Sequence, residues 1–469
     1  MANTATATPR RPNFLIVLTD DQGSWTRTAP EVITPALDAL AADGLELTGF
    51  HCVSPVCSPA RASLITGMIP SAHGVHDWIR GDNSGRDSRG VHYLDGLETT
   101  PAVLARSGYV CGHAGKWHLG DARTPAPGFT HWFSHRDGGG PYYGAPVVEA
   151  GVERVEPGYI TSEITAQAVS TLHALLAGDE PFYLQVHYTA PHSPWTPDQH
   201  PDILLGLYEG SDFPSVPREE PHPWMNRSHG ELMAGFADPE TTLQGYCAAL
   251  TGVDRGLAAL LTELDQAPAA AETYVIFHSD NGFSCGHHGF WGKGNGTAPL
   301  NAWDPSVKVP FVIRGPGIEP GRIDDALLSA LSLHATILDL AGVDPAPGTE
   351  PSFAARLLGD QQPQPDTVVV HDEYGGLRMV RSRTTKLIER PGGPDELYLI
   401  DEDPDERVNR IDDPSVAHVR DELSERLRAW FAQRSNPDRD GWSLPVHGYG
   451  QNGPLGSEPP AEGYFASHN

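Results

Sequence analysis

Two short apolar segments constrain the fold of this chain more than any other feature of its sequence. Residues 14–18 read FLIVL and residues 273–277 read TYVIF, and neither alternates apolar with charged residues. Segments that are apolar on both faces fit strands buried on both sides, as in a parallel sheet. Strand-like and helix-like segments alternate from residue 14 to about residue 340. This alternation predicts an α/β fold with a large, mostly parallel sheet covered by helices on both faces.

The other elements of this region follow from periodicity and from capping residues. Further strands are expected at 45–52, 109–114 and 182–187. Helices are expected at 35–42, 101–107, 161–177 and 246–264, and one more begins near Pro59. Thr34 and Thr100 are the predicted N-caps, because a hydroxyl there can accept a bond from a free backbone N–H.

The pattern changes after about residue 364. Short strand-like segments at 367–373, 377–382, 386–389 and 396–399 are separated by turn residues, and a helix is expected at 414–434 with Asp413 as its N-cap. We therefore predict a large α/β domain at 1–363 and a smaller domain at 364–435, made of an antiparallel sheet and one helix. The last segment, 436–469, is rich in Gly and Pro and is either packed on the body or disordered.

Composition excludes several classes of partner. The 469 residues contain 32 Lys and Arg against 61 Asp and Glu, a formal net charge of −29. Nucleic acids and anionic membranes need a basic surface, so neither is an expected partner. Five cysteines are too few and too scattered for a disulfide framework. No segment reaches transmembrane length, and the start lacks the apolar stretch of a signal peptide. We therefore expect a cytoplasmic protein, although Arg10-Arg11 leaves a twin-arginine export signal as the alternative.

Acidic side chains follow two of the predicted core strands. Asp20 and Asp21 come after the strand at 14–18, and Asp280 and Asn281 come after the strand at 273–277. The carboxyl ends of strands are where open α/β sheets bind ligands. Three carboxylates and an amide oxygen are hard ligands, which suit Ca²⁺ or Mg²⁺ better than zinc. The alternative is that Asp-Asp and Asp-Asn-Gly simply form turns after strands.

Residues 57–67, CSPARASLITG, carry the most specific motif of the chain. They resemble the signature of the type I sulfatases, a family with the alkaline phosphatase-like fold. The resemblance implies that Cys57 is oxidised to formylglycine by a formylglycine-generating enzyme, and that the hydrated aldehyde is the nucleophile. It also implies a role for Arg61 in favouring the oxyanion form of one hydroxyl. The alternative is that Cys57 is an ordinary buried thiol in a packed helix.

Three further segments resemble motifs of the same family. The segment 108–120, GYVCGHAGKWHLG, resembles the second signature, with Lys116 and His118 facing the nucleophile from one side of an extended segment. Residues 190–194 supply His192, and residues 292–294 supply Lys293. The family resemblance further implies that Ca²⁺, with Mg²⁺ as the less favoured ion, is held by Asp20, Asp21, Asp280 and Asn281, with the modified Cys57 beside it.

The resemblance implies a sulfuric ester hydrolase with a distinct role for each side chain. Lys116 and Lys293 would hold the sulfate oxygens, His192 would protonate the leaving alcohol, and His118 would take the proton that lets sulfate leave. This cluster of cations also explains how an anionic substrate can bind a protein whose net charge is −29.

The substrate is predicted less sharply than the reaction. The residues proposed to contact it are Asp77, Trp78, Arg80, Trp195, His288 and Trp303. Aromatic and polar side chains together suit a sugar, which favours a carbohydrate sulfate over choline, alkyl or aryl sulfates. Ordinary loop packing is the alternative explanation for these residues. The tail at 436–469 is a candidate for contact between subunits of a homo-oligomer.

Two rival functions remain open at this point. A phosphatase, phosphodiesterase or phosphonate monoester hydrolase of the same superfamily would share the metal-bearing sheet, although such enzymes often use Ser or Thr and two zinc ions. A non-catalytic, Ca²⁺-dependent glycan-binding protein would keep Cys57 as a thiol. The cysteine motif and the absence of a second His-rich motif favour sulfate.

Overall fold

The computed structural model describes residues 11–80, 90–227, 230–346, 348–360, 365–372, 376–460 and 463–466. The strands are β1 Asn13–Thr19, β2 Leu45–Leu47, β3 Phe50–His51, β4 Val110–Lys116, β5 Phe129–His135, β6 Tyr143–Glu149, β7 Val152–Tyr159, β8 Phe182–His187, β9 Thr273–Ser279, β10 Ser284–Cys285, β11 Trp291–Gly292, β12 Phe311–Arg314, β13 Arg322–Asp324, β14 Leu328–Ser329, β15 Thr367–Asp372, β16 Leu377–Ser382, β17 Thr385–Glu389 and β18 Glu396–Leu399. The helices are α1 Pro35–Ala42, α2 Cys57–Thr66, α3 Pro70–His73, α4 Thr100–Arg106, α5 Ile160–Leu176, α6 Asp202–Leu205, α7 Gly230–Ala237, α8 Pro239–Asp265, α9 Asp304–Val307, α10 Leu333–Leu340, α11 Ala354–Leu357 and α12 Ala417–Arg434.

A ten-stranded mixed sheet forms the centre of the molecule. Its strand order is β13-β2-β12-β9-β1-β8-β4-β5-β6-β7. The five strands from β9 to β5 run parallel. β12 pairs antiparallel with β9, β6 pairs antiparallel with β5, and β7 pairs antiparallel with β6. The predicted α/β class is confirmed, and its parallel part is the five-stranded centre.

Helices cover both faces of this sheet because β1 is apolar on both sides. Phe14 and Ile16 lie in one hydrophobic core with residues of α2, α4 and α10. Leu15 and Val17 lie in the other core with residues of α1, α5 and α8. Successive side chains of a strand point to opposite faces, so an uninterrupted apolar strand contributes to both cores.

The predicted C-terminal antiparallel sheet is present as β15-β16-β17-β18, and α12 packs on β16 and β17. Its buried residues Val380, Leu387 and Leu427 belong to the same core as Phe14 and Ile16. The apolar core is therefore continuous between the large sheet and this smaller sheet. The domain boundaries predicted around the smaller sheet stay a prediction.

The glycine- and proline-rich tail lies against the body where the structure describes it. The Asn436 N–H donates to the Ser71 carbonyl at 2.8 Å, and the Arg439 guanidinium donates to the Ala72 carbonyl at 3.0 Å. Gln451 pairs with Ile79 as an isolated β-bridge. These contacts join the described tail residues to the body, and the boundary at residue 436 stays a prediction.

Several local details differ from the sequence-based expectation. Thr99 rather than Thr100 caps α4, and its hydroxyl accepts the Ala102 N–H at 3.4 Å. The Thr34 side chain makes no cap bond, because Asp254 accepts the N–H groups of Ala36 and Leu37 instead. Among the described helices, none has both the length and the apolar character needed to cross a membrane.

Candidate active site

The two acidic pairs predicted to share an edge of the sheet are neighbours in the structure. Thr19 of β1 lies opposite Ser279 of β9, so the residues that follow each strand meet at its carboxyl end. The carboxylates of Asp20, Asp21 and Asp280 are buried, and one oxygen of each lies within 4.8 Å of the others. The register of two parallel strands therefore creates a compact cluster of negative charge.

This cluster fits a hard divalent cation. Asn281 donates from Nδ2 to Asp21 Oδ1 at 2.6 Å, while its Oδ1 is buried and finds no hydrogen-bond partner among the described residues. Buried polar atoms are normally paired, so an unpaired amide oxygen beside three carboxylates fits a fourth oxygen donor to a metal ion. Carboxylate and amide oxygens are the donors that Ca²⁺ and Mg²⁺ prefer.

Cys57 is the first residue of α2 and lies against this cluster. Its Sγ is 3.3 Å from Asp20 Oδ1 and 2.8 Å from the Nζ atom of Lys293. Cys57, Asp20 and His192 form a second group whose possible ligand atoms lie within 4.8 Å of one another. The helix thus presents residue 57 to the metal cluster and to a lysine at the same time.

Arg61 links α2 to the ends of two strands by hydrogen bonds. One turn after Cys57, it donates from Nε to Asp280 Oδ2 at 2.9 Å and from Nη1 to the Lys116 carbonyl at 3.1 Å. Only 2% of the residue is exposed. These bonds fix α2 to the ends of β9 and β4, so the position of Cys57 depends on Arg61.

Two lysines place positive charge beside the carboxylates. Lys116, the last residue of β4, pairs with Asp20, and Lys293 pairs with Asp21 at 2.5 Å. The loop that carries Lys293 is held by Asn301, whose Nδ2 donates to the Lys293 carbonyl at 3.2 Å. Burial opposes the charge on Lys293, but Asp21 and the neighbouring acidic groups together outweigh burial, so the pKa of Lys293 is raised well above its usual value.

His192 reaches the cluster from the loop after β8. Its Nδ1 lies 3.0 Å from the Ser193 carbonyl, and its Nε2 lies 3.9 Å from Asp21 Oδ2. The hydroxyl of Tyr142 donates to the His192 carbonyl at 2.8 Å. With Nδ1–H engaged by a carbonyl, Nε2 is the nitrogen that faces the site.

His118 is hydrogen-bonded through the other ring nitrogen, Nε2. Its Nε2 lies 3.0 Å from the Ile79 carbonyl, and its buried Nδ1 has no partner within the described part of the chain. A carbonyl can only accept, so the neutral ring carries its proton on Nε2 and leaves Nδ1 as an unprotonated base. Burial, with Lys116 and Arg61 nearby, lowers the pKa of His118 well below its usual value.

The backbone at His118 differs from the expected extended segment. Strand β4 ends at Lys116, and His118 has a φ of +57°. The strand thus ends before His118, and alternation along it does not set the direction of the His118 side chain. The left-handed turn after β4 brings His118 to Ile79 instead.

The carboxylates of Asp20 and Asp280 have strongly shifted pKa values. For Asp20, burial opposes ionisation, but Lys116 and the other cations outweigh it and hold its pKa well below the usual range. Burial, with Asp20 beside it, raises the pKa of Asp280 to about 7. Burial also raises the pKa of the Cys57 thiol to about 12. Burial and the neighbouring charges pull these groups in opposite directions.

Sequence reasoning missed a glycine segment that lies between the two histidines. A Cβ atom on Gly138 would overlap the ring of His118, and a Cβ atom on Gly139 would lie 3.1 Å from the ring of His192. Both glycines follow β5, the neighbour of β4 in the sheet. The run of three glycines at 138–140 could have predicted this arrangement, because Gly lets the backbone approach a ring closely.

A family model described as Sulfatase matches residues 12–343, which is most of the chain and includes all of the cluster described above. The chain belongs to the sulfatase family. It is therefore a sulfatase, and a sulfuric ester hydrolase in class. The carboxyl-edge cluster is the part of this sulfatase in which its chemistry is expected.

Individual relatives agree with this assignment. The chain is 28% identical over 457 residues to an ulvan-active sulfatase of Formosa agariphila, covering 91% of this chain and 82% of the relative. Among solved structures, a complex of a protein with its substrate D-glucosamine-2-N,6-O-disulfate superposes with a TM-score of 0.77 at 22% identity, covering 92% of this chain and 99% of the other. A phosphonate monoester hydrolase of Agrobacterium radiobacter has a TM-score of 0.65 at 21% identity, covering 90% and 96%. Both structural likenesses describe the fold.

Three predicted substrate contacts of this sulfatase, Trp195, Trp303 and His288, lie in its interior. Trp195 is 5% exposed and donates from Nε1 to the Pro191 carbonyl at 2.7 Å. Trp303 is 2% exposed and donates to the Tyr398 hydroxyl at 3.1 Å. Each ring is already packed and hydrogen-bonded, so the structure gives no support for direct contact with a substrate. His288 stacks on Trp303 at a centroid distance of 4.5 Å and is also buried.

The other predicted contacts belong to the loop that precedes residue 81. Asp77 is fully buried and accepts the N–H groups of Trp78 at 2.7 Å and Gly450 at 3.0 Å, which is a structural role. Trp78 and Arg80 are partly exposed, and the Arg80 guanidinium lies 6.0 Å from the centroid of the Trp78 ring. Of the six predicted contacts, these two side chains are the ones that keep surface for a ligand.

Proposed function

We propose that this sulfatase hydrolyses a carbohydrate sulfate ester, using a formylglycine made from Cys57 and a bound Ca²⁺. The overall reaction consumes one water and gives the free alcohol and inorganic sulfate. One observation carries the proposal: Cys57 Sγ lies within 3.3 Å of both Asp20 Oδ1 and the Lys293 ammonium, at the edge of the carboxylate cluster. A nucleophile at residue 57 would therefore sit between a metal and a cation.

The modification of Cys57 supplies chemistry that a thiol lacks. A hydrated aldehyde carries two hydroxyls on one carbon, so one can attack sulfur and the other can later release the sulfate. A thiolate would instead retain the sulfate group with no internal means of release. The formylglycine-generating enzyme required for this oxidation is a proposed partner during maturation.

The proposed Ca²⁺ would be held by Asp20, Asp21, Asp280 and Asn281, with the side chain at residue 57 beside it. The unpaired Oδ1 of Asn281 and the three converging carboxylates support this ligand set. A bound divalent ion would lower the pKa of a nearby hydroxyl and polarise a sulfate oxygen.

The lysines bind the anionic group that reacts. Lys293 pairs with Asp21 and contacts Cys57, and Lys116 pairs with Asp20, which also contacts Cys57. Ammonium groups held in a buried site stabilise charge that builds on sulfate oxygens far better than they would in water. They also overcome at short range the repulsion expected from a net charge of −29.

The two histidines hold protons at different nitrogens. His192 has Nδ1 against the Ser193 carbonyl, so its imidazolium form would carry a proton on Nε2 for the leaving alcohol oxygen. His118 has Nε2 against the Ile79 carbonyl, so its Nδ1 would accept a proton from a hydroxyl at residue 57. The opposite tautomers suit opposite roles, acid and base.

A sugar substrate is supported by the names of relatives and by the remaining surface. One relative is active on ulvan, and one structural neighbour was solved with a disulfated glucosamine. In this chain, Trp78 and Arg80 combine an aromatic face with a charged donor near Ile79, whose carbonyl contacts His118. Stacking and hydrogen bonding are the two contacts that a sugar ring needs.

The test combines mass spectrometry with a substrate panel. The protein is made in a host with a formylglycine-generating enzyme, and the peptide containing residue 57 is analysed for an aldehyde or its hydrate. The protein and its Cys57→Ala variant are then assayed on sulfated sugars, choline sulfate, 4-nitrophenyl sulfate and a phosphonate monoester. We expect the modification and a preference for sulfated sugars. A free thiol in active protein would refute the nucleophile, and turnover of choline or aryl sulfate alone would refute the sugar.

A further inference from the structure

One residue of the C-terminal tail is unusually deeply embedded in the body. Gln451 is 0% exposed, although it lies in a segment rich in Gly and Pro. Its Oε1 accepts the N–H groups of His76 at 2.9 Å and Asp77 at 3.4 Å, and its Nε2 donates to the carbonyl of Gly74 at 2.9 Å. The side-chain amide of Gln451 thus pairs with three backbone groups of this loop, as a neighbouring β-strand would.

The backbone of Gln451 holds the next residues of the same loop. Its N–H donates to the Trp78 carbonyl at 2.8 Å, and its carbonyl accepts the Arg80 N–H at 3.4 Å and the Tyr93 hydroxyl at 3.2 Å. Residues 74–80, which we call the bracing loop, are therefore fixed along most of their length by one tail residue.

The bracing loop contacts the active site through both backbone groups of Ile79. The Ile79 N–H donates to Ser58 Oγ at 3.1 Å, next to Cys57. The Ile79 carbonyl lies 3.0 Å from His118 Nε2. The loop therefore connects the tail to the residue after the proposed nucleophile and to the proposed base.

We propose that Gln451 is a positioning residue for His118: it holds the Ile79 carbonyl in place and thereby keeps the His118 proton on Nε2 and Nδ1 free. The proposal rests on the proposed function, because that function assigns His118 its role as base. It assigns to the C-terminal tail a part in catalysis although no described tail residue touches the carboxylate cluster.

The first readout is the protonation site of His118, which does not depend on turnover. In the full-length protein labelled with ¹⁵N-histidine, the His118 signal is identified by its loss in His118→Gln. We expect an Nε2–H ring in the wild type. In Gln451→Met, which keeps the side-chain length and removes both bonding groups, we expect a mixture of tautomers or exchange broadening.

The second readout is kinetic. Because the proposed step of His118 follows departure of the alcohol, Gln451→Met should lower kcat by about tenfold and kcat/KM by less, in the range that misplacement of a catalytic group produces. Variants that merely unfold a fraction of the enzyme lower kcat and kcat/KM equally. The matched control is Asn452→Ala, whose side chain donates within the tail to the Gly463 carbonyl at 3.2 Å.

A Gln451→Met protein with the wild-type His118 spectrum and the kinetics of Asn452→Ala would overturn the inference. If Gln451→Met does not fold, Tyr93→Phe removes one bond to the Gln451 carbonyl and should change both readouts in the same direction by a smaller factor; no change would overturn it equally. A wild type that turns over no sulfate ester would overturn the proposed function and, with it, the catalytic role of Gln451, whatever the His118 spectrum shows.

Discussion

The Nζ atom of Lys293 lies 2.8 Å from Cys57 Sγ and 2.5 Å from Asp21 Oδ1. One ammonium therefore contacts both the proposed nucleophile and a proposed metal ligand. Because it contacts both residues, the Lys293 ammonium sets the spacing between the proposed nucleophile and the proposed metal ligand, and it can also bind the reacting sulfate. The contact makes Lys293 the most direct test of the arrangement.

Replacing Lys293 with methionine should lower kcat/KM by about a hundredfold or more, because a buried charge donor is lost where negative charge develops. Steady-state kinetics on a sulfated sugar measure the loss, and mass spectrometry confirms that residue 57 is still modified. The control is Lys308→Met, a partly exposed lysine at the end of α9. Activity within threefold of wild type would contradict the role given to Lys293.

Removing the divalent ion should abolish activity, and Ca²⁺ should restore it better than Mg²⁺. Independently of activity, calorimetric titration of Ca²⁺ into the Cys57→Ala protein should give binding that Asn281→Ala weakens by at least about tenfold, since a direct ligand is lost. Gln266→Ala, an exposed position at the end of α8, is the control. Equal Ca²⁺ affinity for Asn281→Ala and the control would argue against this ligand set.

Adding a methyl group at Gly138 should displace the ring of His118, because the new Cβ would overlap it. We expect Gly138→Ala to lower kcat by roughly ten- to a hundredfold. The matched control is Gly206→Ala, where nothing lies within 4 Å of the added atom and φ is −60°. Thermal unfolding of both variants shows whether the loss is local. A fully active Gly138→Ala enzyme would mean that the ring position does not matter.

Asp77 should make stability depend on pH. Burial raises its pKa from the ordinary value of 3.8 to about 8. The folded state therefore binds an extra proton between these values, so its contribution is present below about pH 4 and is lost as pH rises to about 8. The slope for one group is at most about 1.4 kcal/mol per pH unit.

Thermal unfolding at several values between pH 5 and pH 8 tests this dependence. The melting temperature of Asp77→Asn relative to wild type should rise with pH, because Asn does not ionise. Asp95→Asn, at an exposed aspartate, provides the comparison. A difference between Asp77→Asn and wild type that stays constant across this range would show that Asp77 does not titrate there.

Much of the fold could be predicted because hydrophobic periodicity is local. The apolar runs at β1 and β9 placed two strands in a buried parallel sheet, and the family model and structural neighbours confirm that class. The hairpin of β6 and β7 was missed, since exposed Val152 and Val155 disturb any regular alternation along β7. Edge strands carry weaker patterns because water covers part of them.

The parts of the site that could be anticipated lie at strand ends or inside motifs. Asp20 and Asp280 were expected to be neighbours, because each follows a buried apolar strand. The carboxyl ends of such strands lie at the same edge of a parallel sheet. The roles given to these residues stay predictions that the experiments above address. Trp195 and Trp303 were proposed as substrate contacts from residue type alone, and residue type does not distinguish a lining ring from a packed one.

Apolar pattern and motif spacing act over short stretches of chain, so they sufficed to predict the class of fold, the family and the residues that meet at the sheet edge. Which atoms face each other follows from the tertiary structure: the Nε2 of His118 on the Ile79 carbonyl, Gly138 against that ring, and Gln451 hydrogen-bonded to the bracing loop. Gln451 is 333 positions from His118 in the sequence. The proton on an imidazole follows the nearest acceptor in space, and no local pattern encodes an acceptor from another part of the chain.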